Sequence, residues 1–319
     1  MQYLDFEQTL MEVEAKIDAL KVSQAQRGIN VAAELERLTQ KRLRVMKGAY
    51  KNLSPWQKAC LARHESRPHT LDYIRELMTD FCPLSGDRLF AEDRAIVGGF
   101  AKFNGQTVMV IGHEKGHDTE SRLAHNFGMA KPEGYRKAVR LMKLAEQYQV
   151  PIITLVDTAG AYPGMDAEER GQGQAIAASI EAGLNVKVPV ISCIIGEGGS
   201  GGALALATGN TILMLQNSIY SVISPEGCAS ILWKDFTYAP KAAEILHLTA
   251  DDLLNFKLID AVIPEPIGGA HRFPKDTMKS VAEAIQKALE EWKDTAAEEL
   301  VRLRHEKFLA MTRVMEKAG

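Results

Sequence analysis

The chain has 319 residues, of which 46% are hydrophobic and 25% charged, with a formal net charge of -3. That is enough for one large core with an appended helical piece, and the charge balance excludes the basic face that a polyanion or an anionic membrane would require. The first twenty residues carry charge throughout, without the apolar stretch of a signal peptide, and the longest apolar runs (150–156 and 188–195) are too short to span a bilayer, so a cytoplasmic setting is expected.

In chain order, residues 1–53 predict a helical hairpin. Leu10, Val13, Ile17 and Leu20 repeat at helical spacing, and so do Val31, Leu35, Leu38 and Val45. Gly28 and Asn30 can end one helix and start the next. Ser54-Pro55 reads as a cap and first-turn proline opening a helix over 54–81. Residues 95–103 and 106–111 are strand-like, joined by Asn104-Gly105, a strong hairpin signal. A helix is predicted over 132–148, with Ala138, Leu141, Met142 and Ala145 on one side.

From Pro151 the pattern alternates. Strands are predicted at 151–156, 188–195, 212–215, 220–223 and 258–263. Helices are predicted at 168–184, 203–207, 242–248, 253–256 and 276–316. Continuous apolar strands mean a sheet covered on both faces, hence α/β layers. The expected organisation is a hairpin over 1–53, a catalytic α/β domain over 54–275 and C-terminal helices over 276–319.

Two loops follow successive strands and would line one crevice. Asp157-Thr-Ala-Gly-Ala-Tyr-Pro-Gly164 carries turn chemistry, with Asp157 read as a turn or cap carboxylate. Gly196-Glu-Gly-Gly-Ser-Gly201 spells a dinucleotide fingerprint, but no acidic residue stands about 20 positions on to hold a ribose. A P-loop is also excluded, because Ala203-Leu204 stand where Lys and Ser/Thr are needed. Two readings of this turn stay open. Gly201 and Gly202, at a helix start, could aim unpaired N–H groups at an oxygen that becomes negative. Alternatively, glycine merely allows close backbone approach there.

No nucleophile elbow occurs. His113-Glu-Lys-Gly-His117 spells a zincin motif, but it follows a strand and contains glycine, so no metal is expected there. The four cysteines (Cys60, Cys82, Cys193, Cys228) form no C-x-x-C pair, which argues against a zinc ribbon.

Several segments together resemble one family. They are Asn126–Met129, Pro132–Arg136, Asp157–Gly164, Glu168–Gly171, Ile195–Ala205, Tyr220–Trp233 and the 258–271 region with Gly268-Gly-Ala-His271. The resemblance is to the carboxyltransferase α-subunit family of multi-subunit, bacterial-type acetyl-CoA carboxylases, and it runs from Leu4 to about residue 275. One departure is Ala159, where the family pattern leads one to expect proline.

The resemblance implies an α/β, crotonase-like fold, a spiral of ββα units with N- and C-terminal helical extensions. It implies carboxyl transfer from carboxybiotin on a separate biotin carboxyl carrier protein to acetyl-CoA, giving malonyl-CoA for fatty acid synthesis. Implied partners are a zinc-bearing β subunit in an α2β2 assembly, the carrier protein and biotin carboxylase. Both anions formed in such a transfer need hydrogen-bond donors rather than a protein nucleophile. By the same resemblance, Gly201 and Gly202 are the catalytic donors facing biotin, and Gly160, Tyr162, Pro163, Gly164, Gly198, Gly199 and Ser200 bind substrate. A hydratase or isomerase of the same fold would instead need positioned carboxylates, for which Glu197 and Glu226 are available. A non-catalytic scaffold subunit and a biotin-dependent decarboxylase subunit are the remaining rivals.

Overall fold

The computed structural model describes residues 2–27 and 30–311. The two N-terminal stripes form α1 (Gln8–Arg27) and α2 (Ala32–Tyr50), which close on Val13, Ile17 and Leu38. Gly28, the expected helix stop, lies outside the described residues. The pair is fastened at its base by charge. Arg272 donates to the Glu7 and Glu14 carboxylates, and the Tyr50 hydroxyl donates to Glu7.

The single helix expected over 54–81 is instead three elements. Ser54 caps α3 (Pro55–Ala62), accepting from the Gln57 N–H while the Gln57 side chain accepts from the Ser54 N–H. Then come α4 (Thr70–Leu77) and an edge strand, β1 (Met78–Pro83). Pro68 disfavours helix at the residue before it. That residue, Arg67, turns into the core, where it donates to the Ile195 carbonyl at 2.7 Å and pairs with Glu265 at 2.6 Å.

One sheet organises the rest. β2 (Ile96–Phe103) and β3 (Gln106–His113) meet at Asn104-Gly105, both at positive φ (47° and 81°), as the hairpin signal predicts. Parallel strands β4 (Ile152–Thr158), β5 (Val190–Gly199), β6 (Thr211–Leu215) and β8 (Ala261–Ile263) extend it in the order β1-β2-β3-β4-β5-β6-β8. The short β7 (Ile219–Ser221) pairs with the last residues of β5.

Between β3 and β4 stand α5 (Thr119–Ala124), which the periodicity did not announce, and α6 (Pro132–Gln147). The helix expected over 168–184 is divided into α7 (Met165–Glu169) and α8 (Gln172–Asn185), because Gly171 sits at φ 81°. After β5 come α9 (Ser200–Leu204), α10 (Pro225–Trp233), α11 (Ala239–Ile245) and α12 (Ala250–Asn255). The chain continues into α13 (Pro274–Trp292) and α14 (Ala297–Met311).

The sheet is covered on both faces. Leu141 and Met142 of α6 pack against Ile152 and Ile194 on one side, while Val281 and Ile285 of α13 pack against Ile153 and Leu213 on the other. α14 is pinned by one buried cation. Arg304 donates to the carbonyls of Gly183, Leu184, Val186 and Val188 at the end of α8, and to Asn210. Burial lowers its pKa to about 10, so it stays charged at neutral pH. Among the described residues no helix is long and apolar enough to cross a membrane.

Candidate active site

The glycine segment read as a turn is mostly strand. β5 continues through Glu197, Gly198 and Gly199, paired with Ile219, Tyr220 and Ser221 of β7. The chain bends only at Ser200, which is exposed at φ 52°, a costly left-handed conformation for a residue with a side chain. α9 starts there, so the amides of Gly201 and Gly202 precede the first intrahelical bonds. Neither donates a backbone hydrogen bond to another described residue.

Several glycines in this segment are also needed for space. A Cβ on Gly196 would overlap the Asp157 carboxylate, and one on Gly199 would overlap the Ala159 carbonyl. One on Gly202 would stand 2.7 Å from Ala161 N and Gly160 C. One on Gly198 would meet the Tyr220 ring at 2.9 Å. Gly201 differs, since its nearest neighbour would be the Ile176 side chain at 3.3 Å.

The structure thus brings the 157–161 loop directly against Gly199 and Gly202. Gly160, at φ 149°, donates to the Thr158 hydroxyl. Farther along that loop, Tyr162 donates its N–H to the Ala130 carbonyl, and Lys131 Nζ sits 4.6 Å above the Tyr162 ring. Gly164 packs against that same ring, where a Cβ would overlap it, and Pro163 is exposed.

Beside the bend runs an apolar groove of about 420 Å³. It is lined by Ser200, Gly201, Leu204, Tyr220, Val222 and, from α14, Phe308 and Met311. The contribution of α14 was invisible in the sequence.

On the other side of the loop lies a charged groove of about 540 Å³, reached by Arg63, His69, Lys115, Ala159, Glu197 and Glu226. Asp157 is its buried anchor. The carboxylate accepts the Glu197 N–H at 2.9 Å, pairs with Lys115 at 2.8 Å and meets His69 Nδ1 at 3.0 Å. Burial alone would raise this carboxyl, but Lys115 and His69 outweigh it and hold it well below the usual range.

Lys115 also reaches Glu197 at 3.3 Å, and Arg63 joins Glu197, at 2.7 Å, to Glu226. The two carboxylates that an acid–base mechanism could have used are therefore ion-paired. Sequence reasoning missed Arg63, His69 and Lys115. Their carboxylate partners in this network lie from 42 positions away (Lys115 to Asp157) to 163 (Arg63 to Glu226), and no local spacing reports them.

The zincin-like spelling does not assemble on a helix. His113 ends β3 and is fully buried, and burial pushes its ring down to about 4. Beyond Gly116, at φ 76°, His117 is exposed and meets Asp72 at 3.1 Å.

A family model described as acetyl co-enzyme A carboxylase carboxyltransferase-like matches residues 3–312. The chain is 58% identical to the acetyl-coenzyme A carboxylase carboxyl transferase subunit alpha of Paramagnetospirillum magneticum, across 98% of this chain and 99% of that one. It is 57% identical to the same subunit of Gluconacetobacter diazotrophicus, over 98% of each.

Among solved structures it is similar to transcarboxylase 12S, with a TM-score of 0.57 and 19% identity, covering 71% of this chain and 42% of that one. It is also similar to a chain of a Pseudomonas malonate decarboxylase hetero-tetramer in complex with coenzyme A, with a TM-score of 0.55 and 16% identity, covering 71% and 92%. At such identities the likeness carries the fold, which is crotonase-like.

Proposed function

The chain belongs to the acetyl-CoA carboxylase carboxyltransferase α-subunit family, and from that premise we propose how its site serves the transfer of a carboxyl group to acetyl-CoA to form malonyl-CoA. The family assignment rests on identity above one half along nearly the whole of both chains. The reaction is a step of fatty acid synthesis and requires a β subunit and a biotin carrier. Carboxybiotin supplies the carboxyl group.

The residues present fit such a group. Unpartnered amides stand at Gly201, which lines the apolar groove, and at Gly202, buried beside it, and donors of this kind suit an oxygen that gains negative charge. Gly201 and Gly202 are assigned the donor role. Gly198, Gly199 and Ser200 carry those amides on a rigid strand end, and Gly160 keeps the facing loop close. Tyr162, Pro163 and Gly164 are assigned to substrate contact on the loop's outer part. Asp157, Lys115 and Arg63 hold the two strand ends in register, and Glu197 and Glu226 are engaged in ion pairs rather than left free as general bases.

The finer assignments are an α2β2 assembly, a zinc site confined to the β subunit, a biotin carboxylase supplying the charged carrier, and a cytoplasmic setting. Scattered cysteines without a C-x-x-C pair support the zinc assignment. The division into 1–53, 54–275 and 276–319 is retained as one of sequence order, since α13 shares the central core.

The test is reconstitution. The chain alone should form no malonyl-CoA from acetyl-CoA and carboxybiotin, and addition of the β subunit should restore turnover. Full turnover by the isolated chain would refute the shared-site reading.

A further inference from the structure

The first turn of α6 buries a hydroxyl that the fold does not use. Tyr135 is closed off from solvent and its ring belongs to the core between α6 and the sheet, yet its hydroxyl meets no hydrogen-bond partner among the described residues. Burial, with Asp93 adding to it, pushes its pKa up, so the hydroxyl keeps its proton. A buried donor left unpaired costs stability, and phenylalanine would fill almost the same space without that cost. Packing alone therefore does not account for the oxygen.

The oxygen stands at the glycine bend. The space where a side chain would sit at Gly202 is closed by the 160–161 backbone at 2.7 Å and by the Tyr135 hydroxyl at 3.0 Å, and no other described side chain comes as near. The turn that carries Tyr135 is firmly held. Glu133 accepts from Arg136 and Arg170, and Lys137 donates to the Asp93 carbonyl. Gly134 lies so close to Asp93 and Ile96 that a Cβ there would overlap both. Gly202, by contrast, has no side chain of its own to hold its peptide in one orientation.

We propose that Tyr135 is a positioning residue for the carboxyl transfer, its hydroxyl fixing the Gly202 peptide and with it the amide assigned to the developing negative charge. The inference rests on the functional reading above and names the side chain behind the donor. Tyr135 touches no reactant and acts through Gly202. Without the hydroxyl, a gap of about one atom opens beside a residue whose backbone is free to rotate into it. The amide then turns off its target, and small misplacements of such a group cost rate steeply.

The experiment is Tyr135→Phe in the full chain, assembled with saturating β subunit and read by thermal melting, sedimentation and malonyl-CoA formation. The isolated variant should melt no lower than the parent, because an unpaired buried hydroxyl has been removed. It should assemble as the parent does. Its kcat should fall about tenfold or more, with KM for acetyl-CoA unchanged, since Gly201 and Gly202 are assigned to the biotin side. Lower melting or failed assembly overturns the proposal, because the oxygen would then serve the fold. A parent-like kcat in the assembled variant overturns it too, as does a raised KM for acetyl-CoA with kcat unchanged. If the parental pair itself forms no malonyl-CoA, the functional reading fails and this proposal with it, whereas a turning-over parent matched by its variant sinks the proposal alone.

Discussion

At the residue scale, adjacent glycines answer different demands. Gly202 has the 160–161 backbone and the Tyr135 hydroxyl against its missing side chain, while Gly201 faces only the Ile176 side chain. Gly202→Val should therefore lower stability by about 1–3 kcal/mol, as overpacked sites do, and shift the 160–161 loop, so activity lost there mixes two causes. Gly201 separates them. Gly201→Ala keeps the N–H and should melt and turn over within a few-fold of the parent. Gly201→Pro removes the N–H in the first helical turn, where no helix bond uses it. Turnover should then fall about a hundred- to thousandfold, with thermal melting of the same preparation reporting any disturbance at Ser200. A Gly201→Pro complex that assembles and keeps a third of its activity would exclude the amide as a donor. Close backbone approach accounts for Gly202, and the Gly201 variants test the donor role. Glycine was legible in the sequence because it forces backbone behaviour locally. Arg63, Lys115 and Asp157 were not legible as a group, because charge pairing across the sheet leaves no periodic trace.

At the element scale, the strands from β2 onward and the 104–105 hairpin were legible because alternation, apolar runs and Asn-Gly are local signals, whereas β1 lay inside the stretch expected as helix. The failures share a cause. Arg67 abandons a helical stripe for Glu265, 198 positions away, so the predicted helix over 54–81 breaks there. Gly198 and Gly199, with Glu197, extend β5 because β7 offers them a ladder, which outweighs the weak strand propensity of glycine. α14 is the sharpest case. Its charged sequence predicts only a C-terminal helical extension, yet Arg304 closes the end of α8 and Phe308 lines the site groove. Arg304→Met would strand several buried carbonyls at once. It should cost about 3 kcal/mol and open the groove wall, so that KM for carboxybiotin rises more than kcat falls. Unchanged chemical unfolding would show that α14 is held by other means.

For the whole molecule, the sheet is the platform on which the two loops and the bend converge. That convergence joins segments from the beginning, middle and end of the chain. Glu7 and Arg272 make the longest such tie, 265 positions apart. Closing a loop of that length costs about 5 kcal/mol in chain entropy, more than one partly buried ion pair returns. The tie can form only once the sheet between has already drawn its ends together. The N-terminal hairpin is therefore expected to dock late, on a surface already formed. In pulse-labelled refolding, amides of β4 and β5 should gain protection before those of α1 do, and simultaneous protection would contradict this order. The hairpin, stitched on last, would then serve as a seal reporting that the sheet beneath it has been completed.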